Sequence, residues 1–315
     1  MAFRYEEIGQ RLKAYRLGSG LSADELARKI GISRTALYRF EQGELAKIDT
    51  LERLAELLGV SIPTLLGVGI EYIPSAVSYF ERMRQIEETA DQIVSLSGPI
   101  SFLLGSDDFQ NTLEEVLLEN ITSAVANPDR ARADIATIME ILRARKEIYR
   151  RRRPAVVNLM SAFEIARFLD HGLVGRRGLP EETSAKRREL ARAQIEHFVG
   201  LIEEQPIGVQ IGIVQDTLPH LGFQLFRQPD RKLLVMSPFR LGGEPNVRVG
   251  VAMITSAPDA VALHEAAVNE MWNRSLKGPA AANCLRRMLA NETEPQDGGA
   301  VARFAAASVV RRVRT

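Results

Sequence analysis

The chain contains very little cysteine. Cys284 is its only cysteine in 315 residues, which excludes an intramolecular disulfide and any cysteine-rich metal site. A lone thiol is typical of a reducing compartment, and no apolar run reaches the roughly 18 residues that a membrane-spanning helix needs. The first ten residues are charged and amphipathic, unlike a signal peptide. We therefore expect a cytoplasmic protein that has no membrane association.

Net charge and catalytic motifs are also scarce. The formal charge is +1 at pH 7, so any basic surface for nucleic acid must be local. The sequence lacks a phosphate-binding glycine loop, a nucleophile-elbow serine and a zinc-helix motif. The histidines are scattered along the chain, at His171, His197, His220 and His264. Because none has a partner at ligand spacing, we expect no enzyme activity, no metal and no cofactor.

Residues 21–43 have the pattern of two short helices joined by a tight turn. Ser22 is a typical N-cap for the first helix, and Gly31 supplies the left-handed residue that ends it. Ser33 caps the second helix, in which Leu37 faces inward. This spacing predicts a helix-turn-helix unit.

The outward face of the second helix carries polar side chains that have no apolar core to contact. Arg34, Thr35, Tyr38 and Arg39 are linked by three- and four-residue steps along this face. Guanidinium and hydroxyl groups near a helix N-terminus can bond base edges and phosphates in a major groove. The alternative interpretation is a solvated face of an ordinary amphipathic helix.

Residues 4–67 resemble the five-helix DNA-binding domain of the XRE family, the fold of phage repressors and Cro proteins. The resemblance rests on an amphipathic first helix at 4–17, on the pair LARKIGISRTALYRFEQG, and on TLERLAELLGVSIPTLLG as the fourth and fifth helices. One departure is Ala23, which stands where the family often has glutamine. A phosphate or side-chain bridge that the family makes there is therefore in doubt.

The resemblance also implies roles for individual residues. It implies that Arg34, Thr35 and Arg39 read base edges, and that Tyr38 and Lys47 touch phosphate or sugar. With the two capping serines, the predicted DNA-binding residues are Ser22, Ser33, Arg34, Thr35, Tyr38, Arg39 and Lys47.

The rest of the chain divides by its hydrophobic pattern. After a helix-turn-helix domain at 1–68, residues 69–97 are predicted as a linker helix, which packs on a second subunit or on its own C-terminal domain. Residues 98–290 alternate strand and helix patterns, beginning with a short buried strand at 98–105. They predict an α/β or α+β domain with a mixed sheet. Residues 291–315 are predicted as a flexible tail with a basic end.

Residues 140–240 faintly resemble the sensor region that is attached to XRE-type domains in some regulators. The resemblance implies a non-catalytic domain that detects a small molecule or a partner protein. Loops at strand ends are common ligand sites, and an arginine there can clamp a carboxylate or phosphate. The candidate effector residues are His220, Ser237, Phe239, Arg240 and Arg248. An ordinary hairpin loop with surface arginines is the alternative.

Residues 143–153 hold seven basic residues against one acid. Such a run can bind DNA phosphates outside the half-site or an anionic effector. It can equally be a solvated helix end, where cations complement the helix dipole.

Together these patterns give one hypothesis and two rivals. The hypothesis is a homodimeric transcriptional repressor that binds a palindromic operator in double-stranded DNA and responds to a small-molecule effector. In the first rival the C-terminal domain docks a partner protein. In the second the chain is an enzyme tethered to DNA.

Overall fold

The fold begins with five helices. A computed structural model describes residues 4–44, 46–96, 98–122, 125–176, 178–215 and 222–290. The helices of the N-terminal part are α1 (Tyr5–Ser19), α2 (Ala23–Ile30), α3 (Arg34–Glu41), α4 (Ile48–Leu58) and α5 (Ile62–Leu66). Their order and number agree with the pattern in the sequence.

Local capping chemistry sets where α2 and α3 begin. The Ser22 side chain accepts a hydrogen bond from the Glu25 amide, and the Glu25 side chain accepts one from the Ser22 amide, which completes a capping box. Gly31 has φ 72° and ends α2 in the left-handed conformation. Ser33 caps α3 by accepting from the Ala36 amide at 3.1 Å. The fourth helix starts at Ile48 with Lys47 at its N-cap.

The remaining elements form a sheet and its covering helices. The strands are β1 (Ile70–Ile73), β2 (Gln92–Leu96), β3 (Ala155–Ser161), β4 (Val209–Val214), β5 (Phe223–Gln228), β6 (Arg231–Met236) and β7 (Ala252–Thr255). The helices are α6 (Ala76–Glu87), α7 (Asp107–Glu119), α8 (Pro128–Arg152), α9 (Ala162–His171), α10 (Glu181–Glu204), α11 (Pro258–Arg274) and α12 (Gly278–Leu289). The predicted tail at 291–315 lies outside the described residues.

The sheet is mixed, in the order β1-β7-β6-β5-β2-β3-β4. The pairs from β1 to β2 are antiparallel, whereas β2, β3 and β4 are parallel. Strand β2 is therefore the point where the direction of the sheet changes, with Ser95 paired to Asn158 of β3 on one side and to Gln224 of β5 on the other. The five helices and the mixed sheet confirm the predicted fold class.

One hydrophobic core joins the first five helices to the sheet. Leu26 of α2 and Leu37 of α3 belong to the same buried cluster as Met83 of α6 and Ile93 of β2. A second, smaller cluster between the sheet and α11 includes Leu225 and Val261. The predicted boundary at residue 68 stays a prediction, but the core continues across it.

Two local predictions are wrong. Segment 69–97 is not one linker helix, because it contains β1, α6 and β2. Its apolar spacing is helical only as far as Glu87, after which residues 92–96 enter the sheet. Residues 98–105, predicted as a strand, form turns although 99–105 are buried, because a short apolar run indicates burial and not the type of backbone.

Helix α6 packs against α1 and α8 and takes the place of the predicted linker. All but one of its twelve residues are buried, because α6 lies between the N-terminal helix α1 and α8 of the C-terminal part. Among the described residues, no helix is long and apolar enough to cross a membrane.

A buried ionic cluster fixes this junction. Glu71 of β1 accepts hydrogen bonds from Arg82 Nε at 2.8 Å and from Arg11 Nε at 3.2 Å. Tyr15 of α1 donates to the same carboxylate at 3.4 Å. Burial by itself raises the pKa of Glu71, but the charges and hydrogen bonds of Arg82 and Arg11 outweigh it and hold that pKa below its usual value. The N-terminal helices are therefore bonded to the sheet domain by charge as well as by apolar packing.

Candidate nucleic-acid interface and ligand cavity

Helix α3 presents a polar face to solvent. Arg34, Thr35, Tyr38 and Arg39 are exposed, while Leu37 is fully buried against the other helices. The spacing of these residues on one helix makes that division unavoidable once Leu37 enters the core. The exposed face carries two guanidinium groups and two hydroxyls.

Close packing of α1 holds α3 in place. A methyl group added at Gly9 would lie 2.5 Å from the carbonyl oxygens of both Phe40 and Glu41, so only glycine allows this approach. Arg16 of α1 also donates to Glu41 through Nε at 2.5 Å and Nη2 at 3.0 Å, in a buried ion pair. The C-terminal end of α3 is therefore held by α1 in two ways, through close backbone packing at Gly9 and through the ion pair between Arg16 and Glu41.

The two exposed arginines of α3 are ion-paired in the free protein. Arg34 donates to Asp24 at 3.2 Å and to the Tyr38 hydroxyl at 3.2 Å, with its guanidinium 5.3 Å from the Tyr38 ring centre. The hydrogen bond with Tyr38 and then the charge of Asp24 raise the pKa of Arg34. Arg39 pairs with Glu44. Both guanidiniums are charged and ion-paired, but exposed pairs of this kind are weak.

The other predicted interface residues lie at helix starts. Ser22 is exposed, and its hydroxyl also donates to Glu25 at 2.7 Å. Ser33 is exposed at the start of α3, and Lys47 is exposed at the start of α4. A helix N-terminus carries partial positive charge and free amide groups. These positions are suited to contacts with an anion.

A cavity of about 490 Å³ lies at the carboxyl ends of β2 and β3. Tyr79 and Phe80 of α6 form one wall, and residues of α9 form another, including Phe163. Ligand sites in open α/β sheets commonly lie outside the carboxyl ends of the parallel strands. The size is also in the range of small-molecule sites.

Three of the five candidate effector residues line this cavity. They are Ser237, Phe239 and Arg240, at the end of β6 and in the loop that follows. Arg248 does not line it; that side chain is exposed and donates to the Asn120 carbonyl at 2.9 Å. His220 lies outside the described residues. The structure thus places part of the predicted set at one site, and ligand binding there stays a prediction.

The basic run at 143–153 is not a simple solvated helix end. Arg145 and Lys146 are buried, and Arg145 donates to both oxygens of Glu87 at 2.8 and 2.6 Å. Lys146 donates to the carbonyls of Gly105 and Ser106 at 2.5 and 3.1 Å. Burial is the main cause that lowers the pKa of Lys146. Arg143 and residues 150–153 are exposed, as the interpretation of a solvated helix end predicts.

Arg145 is a cavity residue that sequence reasoning missed. It stands in a block of seven basic residues, and nothing in that block distinguishes a buried arginine from an exposed one. The helical spacing does carry a weak signal, because Arg145 follows Leu142 and Ile138 on the buried face of α8. Its acid partner is 58 residues away, which no local pattern reveals.

The described histidines lie apart from one another. His197 bonds the Leu104 carbonyl at 2.9 Å, His264 bonds the Ala260 carbonyl at 2.8 Å, and exposed His171 lies at the cavity. Within the part of the chain that the structure describes, no group of three or more acidic, histidine or cysteine side chains has the geometry to hold a metal ion.

Comparison with known proteins supports the N-terminal assignment. Residues 7–66 match a family model described as a helix-turn-helix domain. The HTH-type transcriptional regulator SinR of Bacillus licheniformis is 41% identical over 62 residues, which cover 19% of this chain and 56% of that protein. SinR of Bacillus subtilis (strain 168) is 41% identical over 61 residues, covering 19% and 55%. The predicted helix-turn-helix domain is confirmed, and the chain spans about half the length of the curated relatives it matches.

One solved structure aligns with more of the chain. It is described as "Structure of TrmBL2, an archaeal chromatin protein, shows a novel mode of DNA binding", and the alignment covers 85% of this chain and 93% of that one at 11% identity. Its TM-score of 0.31 is too low to define a shared fold. The C-terminal domain is therefore interpreted from its own geometry.

Proposed function

We propose that the protein is a sequence-specific DNA-binding transcriptional regulator in which α3 enters the major groove. The observation that carries this proposal is the exposed face of α3, where Arg34, Thr35, Tyr38 and Arg39 stand free of the core. The helix is capped at its N-terminus and fixed by α1, so these side chains start from a rigid element. A rigid helix with such groups is what groove recognition requires.

Base reading and positioning fall to different residues in this proposal. Arg34, Thr35 and Arg39 contact base edges, where an arginine bonds guanine best. Tyr38 and Lys47 contact phosphate or sugar and set the register. Ser22 and Ser33 place helix N-termini, with their free amides, close to the phosphates.

Binding exchanges one set of ion pairs for another. Arg34 leaves Asp24 and Arg39 leaves Glu44, and both guanidiniums then meet bases or phosphates. The exchange costs little, because the pairs are exposed. The carboxylates of Asp24 and Glu44 also oppose non-specific DNA binding, because they remain close to the DNA phosphates after the arginines have turned away from them. This favours sites where base contacts compensate for the repulsion.

The active species in this proposal is a homodimer that represses transcription from a palindromic operator. Two copies of α3 must lie about one helical turn, roughly 34 Å, apart to reach successive major grooves. A change of a few Å between subunits then weakens binding. The proposal places the protein in the cytoplasm and includes no catalytic step, metal or cofactor.

The C-terminal domain acts as the sensor of a small molecule. The support is the cavity, which lies beside α6, while α6 packs on α1 of the helix-turn-helix domain. Occupation of the cavity therefore has a direct route to the DNA-binding helices.

A titration of operator DNA tests the proposal. Selection from a random duplex pool identifies the half-site, and fluorescence anisotropy at fixed salt then measures affinity. Arg34→Ala and Arg39→Ala should each weaken binding about 5- to 150-fold and relax the base preference. Arg286→Ala, which removes an equally exposed arginine paired with Glu203, is the matched control. Unchanged affinity in both α3 variants would exclude α3 as the recognition helix.

A second candidate is docking of a partner protein by the C-terminal domain. The observation that favours it is β1, an end strand of the sheet whose Ile70 and Tyr72 are 40% and 49% exposed. Free edge strands can accept a strand from another chain. Ile70→Lys should abolish capture of a stoichiometric protein partner while DNA affinity stays unchanged. Capture that survives the substitution contradicts docking at β1.

A further inference from the structure

We propose that the cavity binds an uncharged aromatic compound with one hydrogen-bond acceptor, and that this compound acts on the DNA-binding helices through α6. The second half of this statement rests on the proposed function, whereas the first half does not. The argument starts from what lines the cavity.

The lining is unusually rich in aromatic rings. Six of the chain's twelve phenylalanines line the cavity, at Phe80, Phe102, Phe163, Phe168, Phe223 and Phe239. Tyr79 adds a seventh ring and lies 5.6 Å from Phe239, centre to centre. Rings prefer to meet other rings edge to face or offset. A planar aromatic ligand therefore gains more from these walls than an aliphatic one of the same size.

Phe163 is a part of this lining that the rest of the protein leaves exposed to solvent. Its side chain is 70% exposed although it lines the cavity. A ligand that covers the ring removes apolar area from water, which is favourable. The rim is thus the place where an occupant gains most by contact.

Arg145 supplies the polar contact. It is only 4% exposed, it lines the cavity, and its guanidinium lies 5.7 Å and 5.5 Å from the ring centres of Phe80 and Phe102. Nε and Nη2 donate to Glu87, which leaves Nη1 as the nitrogen that this ion pair does not use. A hydrogen bond from a charged donor in apolar surroundings is stronger than the same bond in water. An acceptor on a ligand that reaches this wall therefore gains a charge-assisted hydrogen bond.

The charge balance decides between a neutral ligand and an anion. Glu87 already compensates Arg145 with a two-point ion pair, so a second carboxylate at Nη1 would bury an excess negative charge. At the rim, Arg167 and Arg240 pair with Glu244, and Glu164 adds a further carboxylate. Burial raises the pKa of Tyr79 and keeps its hydroxyl neutral. The site therefore favours an amide, ketone or phenol over a carboxylate.

Helix α6 connects the cavity to α1. Tyr79 and Phe80 line the cavity, and a turn further on Gln85 donates to the Gln10 carbonyl of α1 at 3.0 Å. Arg82, between them, bonds Glu71, which is also held by Arg11 of α1. A close-packed helix moves as a unit. A ligand that displaces the two rings therefore shifts α1 and, with it, α3.

The first test measures binding without DNA. The probes are 2-naphthamide and 2-naphthoate, which share a ring system and differ in charge, with isothermal titration calorimetry of the full chain. The expected dissociation constant for 2-naphthamide is about 1 mM or tighter, and 2-naphthoate should bind more weakly. Failure of 2-naphthamide to bind, or stronger binding of 2-naphthoate, would overturn the proposal.

Matched variants locate the binding. Gly98→Leu adds a side chain to the cavity wall where a Cβ meets nothing within 4 Å, and should weaken 2-naphthamide at least tenfold. Phe163→Ala should weaken it about two- to tenfold. The controls are Gly200→Leu, equally unobstructed but in α10, and Leu263→Ala, equally exposed but on α11. Equal affinity in all four variants contradicts the assigned site.

The most specific test is a change in which probe the cavity prefers, the neutral one or the anionic one. Glu87→Gln removes the anion that compensates Arg145, so the preference should change from 2-naphthamide to 2-naphthoate. A structural role for Glu87 alone would weaken both probes and leave their ratio unchanged. That unchanged ratio, in a variant that still folds, contradicts the role assigned to Arg145.

Addition of 2-naphthamide to the operator titration then tests the route through α6. A change in operator affinity that disappears in Gly98→Leu supports it. Probe binding with no change in operator affinity overturns the coupling and leaves the cavity assignment standing. A protein that binds the probe but no duplex overturns the proposed function instead.

Discussion

Replacing Glu71 by glutamine tests how the helix-turn-helix domain is held to the sheet. The carboxylate is 4% exposed and accepts hydrogen bonds from Arg82 at 2.8 and 3.1 Å, from Arg11 at 3.2 Å and from Tyr15 at 3.4 Å. Glutamine keeps the shape but removes the charge, and its amide group presents donors to two guanidiniums. Arg82 then loses its ion-pair partner, while a weaker charge interaction with Glu7 remains.

The expected cost follows from this geometry. Removing one member of a buried ion pair typically costs about 3 to 5 kcal/mol, because the remaining charge stays buried without compensation. Glu7 offsets part of the loss at Arg11, 3.3 Å away, but it also pairs with Arg231 at 2.7 Å. We expect a loss of about 3 to 5 kcal/mol in the free energy of unfolding and, for a chain of this length, a fall of about 5 to 8 °C in melting temperature.

Denaturant unfolding followed by circular dichroism measures this change. Glu182→Gln, which removes an exposed carboxylate paired with Lys186 at 2.8 Å, is the control and should change stability by no more than about 0.5 kcal/mol. Adding Arg82→Met to Glu71→Gln should recover part of the loss, since it removes the uncompensated charge. A Glu71→Gln variant within about 1 kcal/mol of the wild type, or a double variant with strictly additive losses, would refute the reasoning.

Three further predictions concern the N-terminal helices and their junction with the sheet. Gly9→Ala should destabilise the protein by about 1 to 3 kcal/mol, because its methyl group meets two backbone carbonyls at 2.5 Å. The control Gly200→Ala, in an open part of α10, should stabilise the protein by about 0.5 to 1 kcal/mol. Equal effects of the two substitutions in denaturant titrations would contradict the packing argument. Ser33→Ala should cost about 1 kcal/mol through loss of the α3 cap, and unchanged amide exchange at the start of α3 would argue against it. Because the pKa of Glu71 is lowered on folding, its contribution is present above its unfolded pKa of about 4.3 and is lost as pH falls through the folded value. Acid titration of stability should therefore be steeper in the wild type than in Glu71→Gln.

The helix-turn-helix domain follows largely from local sequence. Ser22 and Ser33 cap helices through bonds to residues three positions away, and Gly31 ends α2 through its own backbone freedom. Such signals act over a few residues, so a single sequence contains them in full. The outward face of α3 is equally local, because helical geometry alone separates Leu37 from Arg34 and Arg39.

The strand order and the cavity were decided only by tertiary structure. Residues 92–96 become a central strand because β3 and β5 are available on either side, although the sequence pattern predicts a strand at 98–105 instead. Likewise Arg145 is buried because Glu87, 58 residues earlier in the chain, compensates its charge. Periodicity reports which face of an element avoids water, but it does not report which distant segment covers that face. The sequence by itself therefore determined the exposed polar face of α3, and long-range packing decided where the cavity lies and which buried arginine lines it.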